Sequence, residues 1–588
     1  MTRSQQGCGL AVLGAMGLAL LLIVPRLALP VSFDGANTYL PTAAHLLAEG
    51  FGFLGTEQSV MVAPLSYVYP ALLGASEKAV RWSNVMLYLG AIALAFDAVR
   101  LAHSRGAGIA AAFLLAFSPT LRPYIGDVLT EPPYIFAVVL WAAAISRVTA
   151  SPASPQYGWI AAGALALSIA TLTRPSVMLF GPAMTALFAW RAWKSNPRQR
   201  AVEWRLSALH ALAMVLPLAW ILRNYILFGL ASIATGSGAA LWLGIDPLVD
   251  GFDPVYFGMD YDVGGVARDM SHLSIEADRM LRAVAAVQLK EIPLPVLAEM
   301  FARKAAALLV FSAHEMGEGL AAQRSWRIAL LVLAVAAIVW TRGSRLVLAL
   351  SAMGAYMVAV HLPALYHHRY AVGAIDAPLT LLAAIGLANC FKPTTRTLGA
   401  AVLVTVLTLA GLSTLQNAGP GSPRVDRVPG QVAWTRDVSA IDQIVLHGAT
   451  REGRAKFTVA PNGALEIPVY GTSGFFPGDY SAAIIGLAIT PTGTQPGCES
   501  MRLRFRGLGD PGFAPARAVR IPVESDGKMR ALVIGTTQPL HLNTDGVLRL
   551  EFECAYPVAL EMGKITLIAP RRALVYRQKW LDAKPDYP

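Results

Sequence analysis

Three acids and a set of arginines stand where they could take a proton from one group and hold the negative charge of another. Asp34 follows a long apolar stretch within about five residues, in Phe33-Asp34-Gly35-Ala36-Asn37-Thr38-Tyr39. It either caps the helix that begins there, its carboxylate facing the free N–H groups of the first turn, or takes a proton from an acceptor hydroxyl. Asp127 and Glu131 lie in a second short loop, 121–132, four apart and so on one side of a helical turn. Glu131, in Thr130-Glu131-Pro132-Pro133, is also a good first-turn residue for a helix. Arginines stand at the ends of apolar stretches in Thr173-Arg174-Pro175, Arg223-Asn224-Tyr225 and His367-His368-Arg369-Tyr370. Such an arginine either reaches to lipid headgroups or grips a phosphate through paired hydrogen bonds.

These residues must be positioned by membrane-spanning elements. The chain has 588 residues, 55% of them hydrophobic and 14% charged, with a mean hydropathy of +0.50. About a quarter of a soluble protein is charged, so a single soluble enzyme, a disordered chain and a disulfide-rich secreted domain are excluded. Charge is uneven: 49 of the first 415 residues are charged, against 36 of the last 173. The chain therefore divides into a membrane part, 1–415, and a tail of ordinary polarity, 416–588. A spanning helix needs about 20 mostly apolar residues. Candidates, about eleven, are 9–29, 82–101, 106–120, 133–148, 157–173, 175–192, 206–224, 326–341, 345–363, 371–390 and 398–415. The first has no small-x-small cleavage site before Asp34 and reads as a retained helix rather than a signal peptide.

Orientation follows from basic residues. With the N-terminus in the cytoplasm, thirteen Lys and Arg fall on cytoplasmic segments, Arg191, Lys194, Arg198, Arg200 and Arg205 among them, against about five in the opposite short loops. The positive-inside rule then puts loops 31–80, 121–132 and 225–325, and the tail, outside the cytoplasm. Of the 21 acidic residues in the membrane part, 18 lie in those loops, so the polar chemistry is expected there. The net charge of +11 is explained by this asymmetry and calls for no nucleic acid.

Other patterns are weaker. Gly507-Leu508-Gly509-Asp510-Pro511-Gly512 matches a dinucleotide fingerprint but has no βαβ context and reads as a turn. Asp246, Asp250, Asp253, Asp260 and Asp262 lack the spacing of a calcium loop and read as a solvated stretch. His361, His367 and His368 read as headgroup or substrate contacts rather than a zinc set. Helices are expected over 263–290 and 293–313, the second lying in or dipping into the interface. The tail alternates with period two at Met501–Arg506 and Val547–Glu553, which predicts a jelly-roll-like β-sandwich. Cys498 and Cys554 flank those strands and are expected to pair in an oxidising compartment, leaving Cys8 and Cys390 as thiols. Trp434, Tyr470, Phe475, Phe476 and Tyr480 are either core or carbohydrate-stacking residues.

Asp34 with Tyr39, Ala43 and Gly50 resembles the first-loop signature of GT-C glycosyltransferases, and Pro64-Leu65-Ser66-Tyr67-Val68-Tyr69-Pro70 fits the same loop. Thr130-Glu131-Pro132, Thr173-Arg174-Pro175, Arg223-Asn224-Tyr225 and Arg369-Tyr370 ahead of Pro378 are similar to later landmarks of the protein O-mannosyltransferase and aminoarabinose-transferase-like branch, glycosyltransferase family 39-like. The resemblance covers roughly 10–415. It implies an all-α polytopic GT-C-like bundle, to which the tail adds an extracytoplasmic β-sandwich. The span pattern and the lack of sorting signals fit a multi-pass protein of a bacterial inner membrane.

The activity so implied is transfer of a hexose or pentose from a polyprenyl-phosphate sugar to a glycan, lipid or protein acceptor outside the cytoplasm. Asp34 would be the base, with Asp127 or Glu131 as second acid. Arg369, Tyr370 and either Arg174 or Arg223 would bind the donor phosphate, and attack from the far side would invert the anomeric centre. Many relatives carry an Asp-Glu pair where this chain has Asp34-Gly35, so a metal site built on both acids is not expected; no cofactor is called for, and a divalent metal stays open. The other readings are a flippase or transporter of lipid-linked sugars, disfavoured by the lack of internal symmetry, and a non-catalytic polysaccharide-assembly protein.

Overall fold

The computed structural model describes residues 3–32, 34–245, 252–253, 271, 273–311, 320–392, 399–406, 408, 431–469, 482–507, 512–513, 518–535 and 546–569. Asp246, Asp250, Asp260, Asp262, Tyr470, Phe475, Phe476, Tyr480, the centre of the 507–512 turn and half of the expected span 398–415 lie outside the described residues.

The helices of eight residues or more are α1 (Arg3–Ile23), α2 (Leu40–Glu49), α3 (Leu65–Leu72), α4 (Glu77–Ala102), α5 (Arg105–Phe117), α6 (Glu131–Ala150), α7 (Tyr157–Thr173) and α8 (Phe180–Lys194). They continue with α9 (Pro197–Leu212), α10 (Val215–Phe228), α11 (Ser237–Gly244), α12 (Ile275–Glu291), α13 (Leu294–Val310), α14 (Leu320–Trp340), α15 (Arg345–His361) and α16 (His368–Cys390). Several start where the sequence supplies a cap: Ser76, Ser104, Asn196 and Ser344 each accept the N–H three residues on, satisfying donors the helix leaves open.

Among the described residues six helical stretches are long and apolar enough to cross a membrane: Gly7–Ala28, Glu77–Ala102, Glu131–Ala150, Gln199–Phe228, Ala322–Trp340 and His368–Cys390. Arg105–Phe117, Tyr157–Thr173 and Arg345–His361 are apolar but shorter. The chain is thus a multi-pass membrane protein with six long spans among the described residues. The other candidates of the sequence include apolar stretches that end in turns before reaching the ~20 residues a straight crossing needs, and 398–415, half of which lies outside the described residues.

One apolar core joins α1, α4–α9 and α13–α16. The spans differ sharply in how much of them it encloses. Over the 18-residue apolar stretch within each helix, buried residues make up 89% in His368–Cys390 and 72% in Glu131–Ala150, against 17% in Gly7–Ala28. The two most enclosed helices are those that begin with the Glu131 and Arg369 segments, so these polar side chains are fixed by the most rigid part of the bundle. Between α10 and α14 the chain forms α11–α13 around a separate small core that includes Trp242, Leu281, Ile292 and Met300. Of the two helices expected in this loop, α13 lies inside 293–313, whereas α12 ends one residue past 263–290 and starts only at Ile275.

After the membrane part come nine strands, β3 (Gln431–Asp437), β4 (Val445–Arg451), β5 (Lys456–Val469), β6 (Ala482–Pro491), β7 (Cys498–Gly507), β8 (Ala518–Pro522), β9 (Arg530–Gly535), β10 (Gly546–Cys554) and β11 (Val558–Ala569). A short parallel pair, β1 (Phe252–Asp253) and β2 (Tyr366–His367), precedes them. The nine strands make one antiparallel sheet in the order β8-β7-β10-β5-β11-β6-β9, with β3 on β11 and β4 on β5. The sheet is continuous because the long strands β5 and β11 pair with each other and each belongs to both halves. Their inward residues form a single core with Met501, Phe505, Leu550 and Phe552. In β10 buried and partly exposed residues alternate strictly, as a half-buried strand requires. Trp434 is buried in that core. Cys498 and Cys554, opposite each other on β7 and β10, are joined by a disulfide, and Cys8 and Cys390 are free.

Candidate active site

Asp34 begins a short π-helical turn, Gly35–Tyr39, that runs into α2. Its side chain makes no capping hydrogen bond and pairs instead with Arg369. The wide turn, closed by i→i+5 bonds and common at functional sites, lets Asp34 and Tyr39 reach the same guanidinium, although they are five residues apart. Gly35 is where the loop meets its neighbour. A β-carbon there would lie 2.8 Å from the Val128 carbonyl oxygen and 2.6 Å from a Val31 methyl.

Glu131 is the first residue of α6, where the helix dipole favours a carboxylate. Its side chain is fully buried, and two arginines converge on it. Arg174 Nη2 donates to Glu131 Oε1 at 2.5 Å, and Arg369 Nε donates to the same oxygen. Arg174 sits in extended backbone just after α7, ahead of Pro175. Its guanidinium lies 5.4 Å from the ring centre of Tyr134 and 5.8 Å from that of Tyr370. Against its other side is Gly373, whose hypothetical β-carbon would come within 2.7 Å of Nη2.

Arg369 is the hub. It sits in the first turn of α16, and its own N–H donates to His367 Nδ1 at 3.1 Å, so His367 is the helix cap. The side chain donates to Asp34 through Nη1, to Glu131 through Nε and to the Tyr39 hydroxyl through Nη2 at 3.2 Å. The result is an alternating row, Asp34–Arg369–Glu131–Arg174, open at Asp34 and closed from Glu131 inward. Side-chain exposure is 42% at Asp34, 14% at Arg369, 8% at Arg174 and 0% at Glu131. The carboxylate at the open end can meet a substrate; the one at the closed end can only hold the arginines. Burial pushes the Tyr39 hydroxyl up to about 12, against the pull of Arg369, so it stays a neutral hydroxyl.

Two candidates are placed elsewhere. Asp127 Oδ1 accepts the N–H groups of Ser32 at 3.1 Å and Val128 at 2.6 Å, and its carbonyl accepts from Asn84 Nδ2 at 2.7 Å. It ties the second loop to the segment that leads into Asp34. Arg223 donates to Ser59 Oγ at 2.8 Å and Asn224 Oδ1 at 2.6 Å, with the rings of Trp220 and Phe228 beside it at 4.7 and 5.2 Å. Tyr370 packs by His367 and His361, ring centres 5.5 and 6.1 Å away. Among the described residues no group of three or more His, Cys, Asp or Glu is arranged to hold a metal. Sequence reasoning passed over Gly373 as a site residue. Its signal is the spacing: a glycine four after Arg369 leaves an empty patch on the same helix face.

Residues 57–221 match the profile of the dolichyl-phosphate-mannose-protein mannosyltransferase family. Among solved structures, the oligosaccharyltransferase of Archaeoglobus fulgidus, tethered to an acceptor peptide, is 14% identical with a TM-score of 0.41, covering 71% of this chain and 56% of its own. The same enzyme, AglB, with an inhibitory peptide and a dolichol-phosphate gives 14% and 0.41, over 72% and 57%. The arabinosyltransferase EmbB of Mycobacterium smegmatis is 12% identical with a TM-score of 0.27, over 97% and 65%. The chain thus spans little more than half the length of the archaeal enzyme. No curated protein matches it. The resemblance read from the loops is matched over residues 57–221, the stretch that holds Glu131, Arg174 and most of the early bundle: there the chain is similar to the dolichyl-phosphate-mannose-protein mannosyltransferase family.

Proposed function

We propose that the protein is a membrane glycosyltransferase that moves a sugar from a polyprenyl-phosphate donor to the hydroxyl of a cell-envelope glycan, glycolipid or protein. The observation that carries this reading is Arg369 held between an open carboxylate, Asp34, and a closed one, Glu131. The family match of residues 57–221 supports the chemistry. The excess of basic residues on one side of the bundle supports a site, and the β-domain 416–588, on the extracytoplasmic face of a bacterial inner membrane.

In the free protein the Asp34 carboxylate is paired with Arg369 rather than with an acceptor hydroxyl. A donor phosphate offers Arg369 a better partner, since a guanidinium binds two phosphate oxygens at once. Arg369 shifting towards the phosphate frees Asp34, while Glu131 keeps both guanidiniums from turning away. The acceptor hydroxyl then gives its proton to Asp34 and its oxygen attacks the anomeric carbon from the face opposite the phosphate. The bond from that carbon to the phosphate oxygen breaks with its electron pair going to the phosphate, where Arg369 and Arg174 stabilise the charge. The products are the inverted glycoside and polyprenyl phosphate. The order of events makes donor binding a condition for base activation.

The test is mass spectrometry of envelope glycolipids and glycans from a deletion strain carrying wild type, Asp34→Asn or Arg369→Ala. One sugar present only with wild type supports the reading. Restoration by Asp34→Asn would make the acid structural and favour a flippase or a scaffold.

A further inference from the structure

We propose that Phe311 is a positioning residue for Arg369, the end of a strap that the long loop lays across the first turn of α16. The inference rests on the reading of Arg369 as a phosphate ligand. Phe311 ends α13 with φ 66° and ψ 148°, a conformation that a bulky residue adopts only when its surroundings impose it. The surroundings are specific. The residue is 2% exposed. Its ring centre is 4.4 Å from that of His368, the residue before Arg369, and the Arg327 guanidinium lies 4.4 Å over its face.

Arg327 closes the arrangement. From α14 it donates to the Leu308 carbonyl on α13 at 2.9 Å and to the Ala371 carbonyl on α16 at 3.1 Å, and it pairs with Asp376 two turns further along α16. The Phe311 ring is thus clasped between Arg327 and His368, so α13, α14 and α16 meet at the turn that carries Arg369.

The same loop holds the approach to that turn from the other side. Lys304 of α13, fully buried, donates to the Gly244 carbonyl at 2.7 Å. Gly244 in turn lies against the backbone of Pro363, Ala364 and Leu365, where a β-carbon would be within 2.3 Å of the Pro363 oxygen. The Leu365 N–H donates to the Ala240 carbonyl at 2.7 Å. Residues 363–367 run directly into His368 and Arg369, so the arginine's backbone is fastened to α11 and α13 ahead of it and to Arg327 of α14 behind it. Contacts from Asp34 and Glu131 reach only the tip of Arg369; depth and direction of its stem are set by this strap.

The experiment measures undecaprenyl phosphate binding to full-length protein in lipid nanodiscs, below the melting temperature of each variant. Wild type, Phe311→Leu, Arg369→Ala and the double variant form a cycle. Phe311→Leu is expected to weaken binding roughly tenfold, the scale of a misplaced contact group, and to add no further loss in the Arg369→Ala background. Phe311→Leu binding as wild type does, while Arg369→Ala loses affinity, overturns the strap and leaves the phosphate site standing. So does an equal loss in both backgrounds, which is the signature of a general packing defect. Equal binding by wild type and Arg369→Ala overturns the phosphate reading and the strap with it. If Phe311→Leu does not fold, Gly244→Ala enters the same cycle with the same expected and overturning outcomes.

Discussion

The guanidinium of Arg174 lies flat against the α-carbon of Gly373, one turn along α16 from Arg369. A β-carbon at 373 would stand 2.7 Å from Nη2 and 2.9 Å from Cζ of Arg174. The absence of a side chain there lets two arginines share one buried carboxylate.

Gly373→Ala should therefore push Arg174 off Glu131 without touching Asp34. Alanine favours a helix over glycine by about 1 kcal/mol, so the fold should not suffer from the backbone change. Transfer should fall by roughly 10- to 100-fold, the size expected when a charge-stabilising group moves by about an ångström. Single-turnover kinetics with a polyprenyl-phosphate sugar, beside a melting curve, separate the two effects. Unchanged turnover would mean that Arg174 takes no part in holding the donor.

Gly35 is a parallel case with a different neighbour. Relatives with an acid after the first-loop aspartate are a poor guide to this chain, because a β-carbon at 35 meets the Val128 carbonyl at 2.8 Å and Val31 at 2.6 Å. Gly35→Glu and Gly35→Ala should both destabilise, by about 1–3 kcal/mol as overpacked sites do. They should also loosen the contact between the first and second loops that Asp127 fastens through Ser32. Equal losses in thermal stability for both variants would trace the defect to the β-carbon; a loss confined to Glu would trace it to charge.

How much of this was legible in sequence depends on the scale of the signal. The membrane class, the early landmarks and the β-rich tail are written in composition and period, and each is local. Asp34, Glu131, Arg174 and Arg369 were also nameable, because charges at the ends of apolar stretches stand out. What sequence left open was the choice between Asp127 and Glu131. Both are acids in one loop, and only the fold shows that Asp127 spends one oxygen on two backbone N–H groups while Glu131 faces two arginines. Likewise the capping role weighed for Asp34 was a local inference, whereas its partner is 335 residues away. Span lengths were less legible, because hydropathy reports that a stretch is apolar, not where a turn interrupts it: Arg105–Phe117, Tyr157–Thr173 and Arg345–His361 are apolar but short.

Glu131 tests the closed end of the row. Glu131→Leu leaves Arg174 and Arg369 facing each other with no shared counter-ion, and breaking a buried pair by removing one partner costs about 3–5 kcal/mol. Glu131→Gln keeps the shape and one acceptor oxygen, so it should cost less. Both should lose activity, the glutamine variant while remaining folded. Melting temperatures in nanodiscs give the ordering: a leucine variant as stable as wild type would mean that the arginines find other partners, and the buried carboxylate would not be what holds them.

The β-domain supplies a pH-dependent prediction at the disulfide end of β7 and β10. Ser500, opposite Glu553 in the sheet, donates to its carboxylate, as do Arg520 and Arg502, each at 2.5 Å. The Ser500 bond is the largest influence, joined by the two arginines against some burial, and it holds the carboxyl below the usual range. An acid depressed in the folded state contributes stability above its unfolded value of about 4.3. That contribution is lost as pH falls through the folded one. The domain should therefore melt earlier as pH drops below about 4, and Glu553→Gln should lower stability at neutral pH while flattening the acid limb. Because the group is partly solvated, the effect should be small and should shrink in high salt. Differential scanning calorimetry of wild type and Glu553→Gln between neutral pH and about 3 reads both. Parallel acid limbs in the two proteins would assign the pH dependence to other carboxylates.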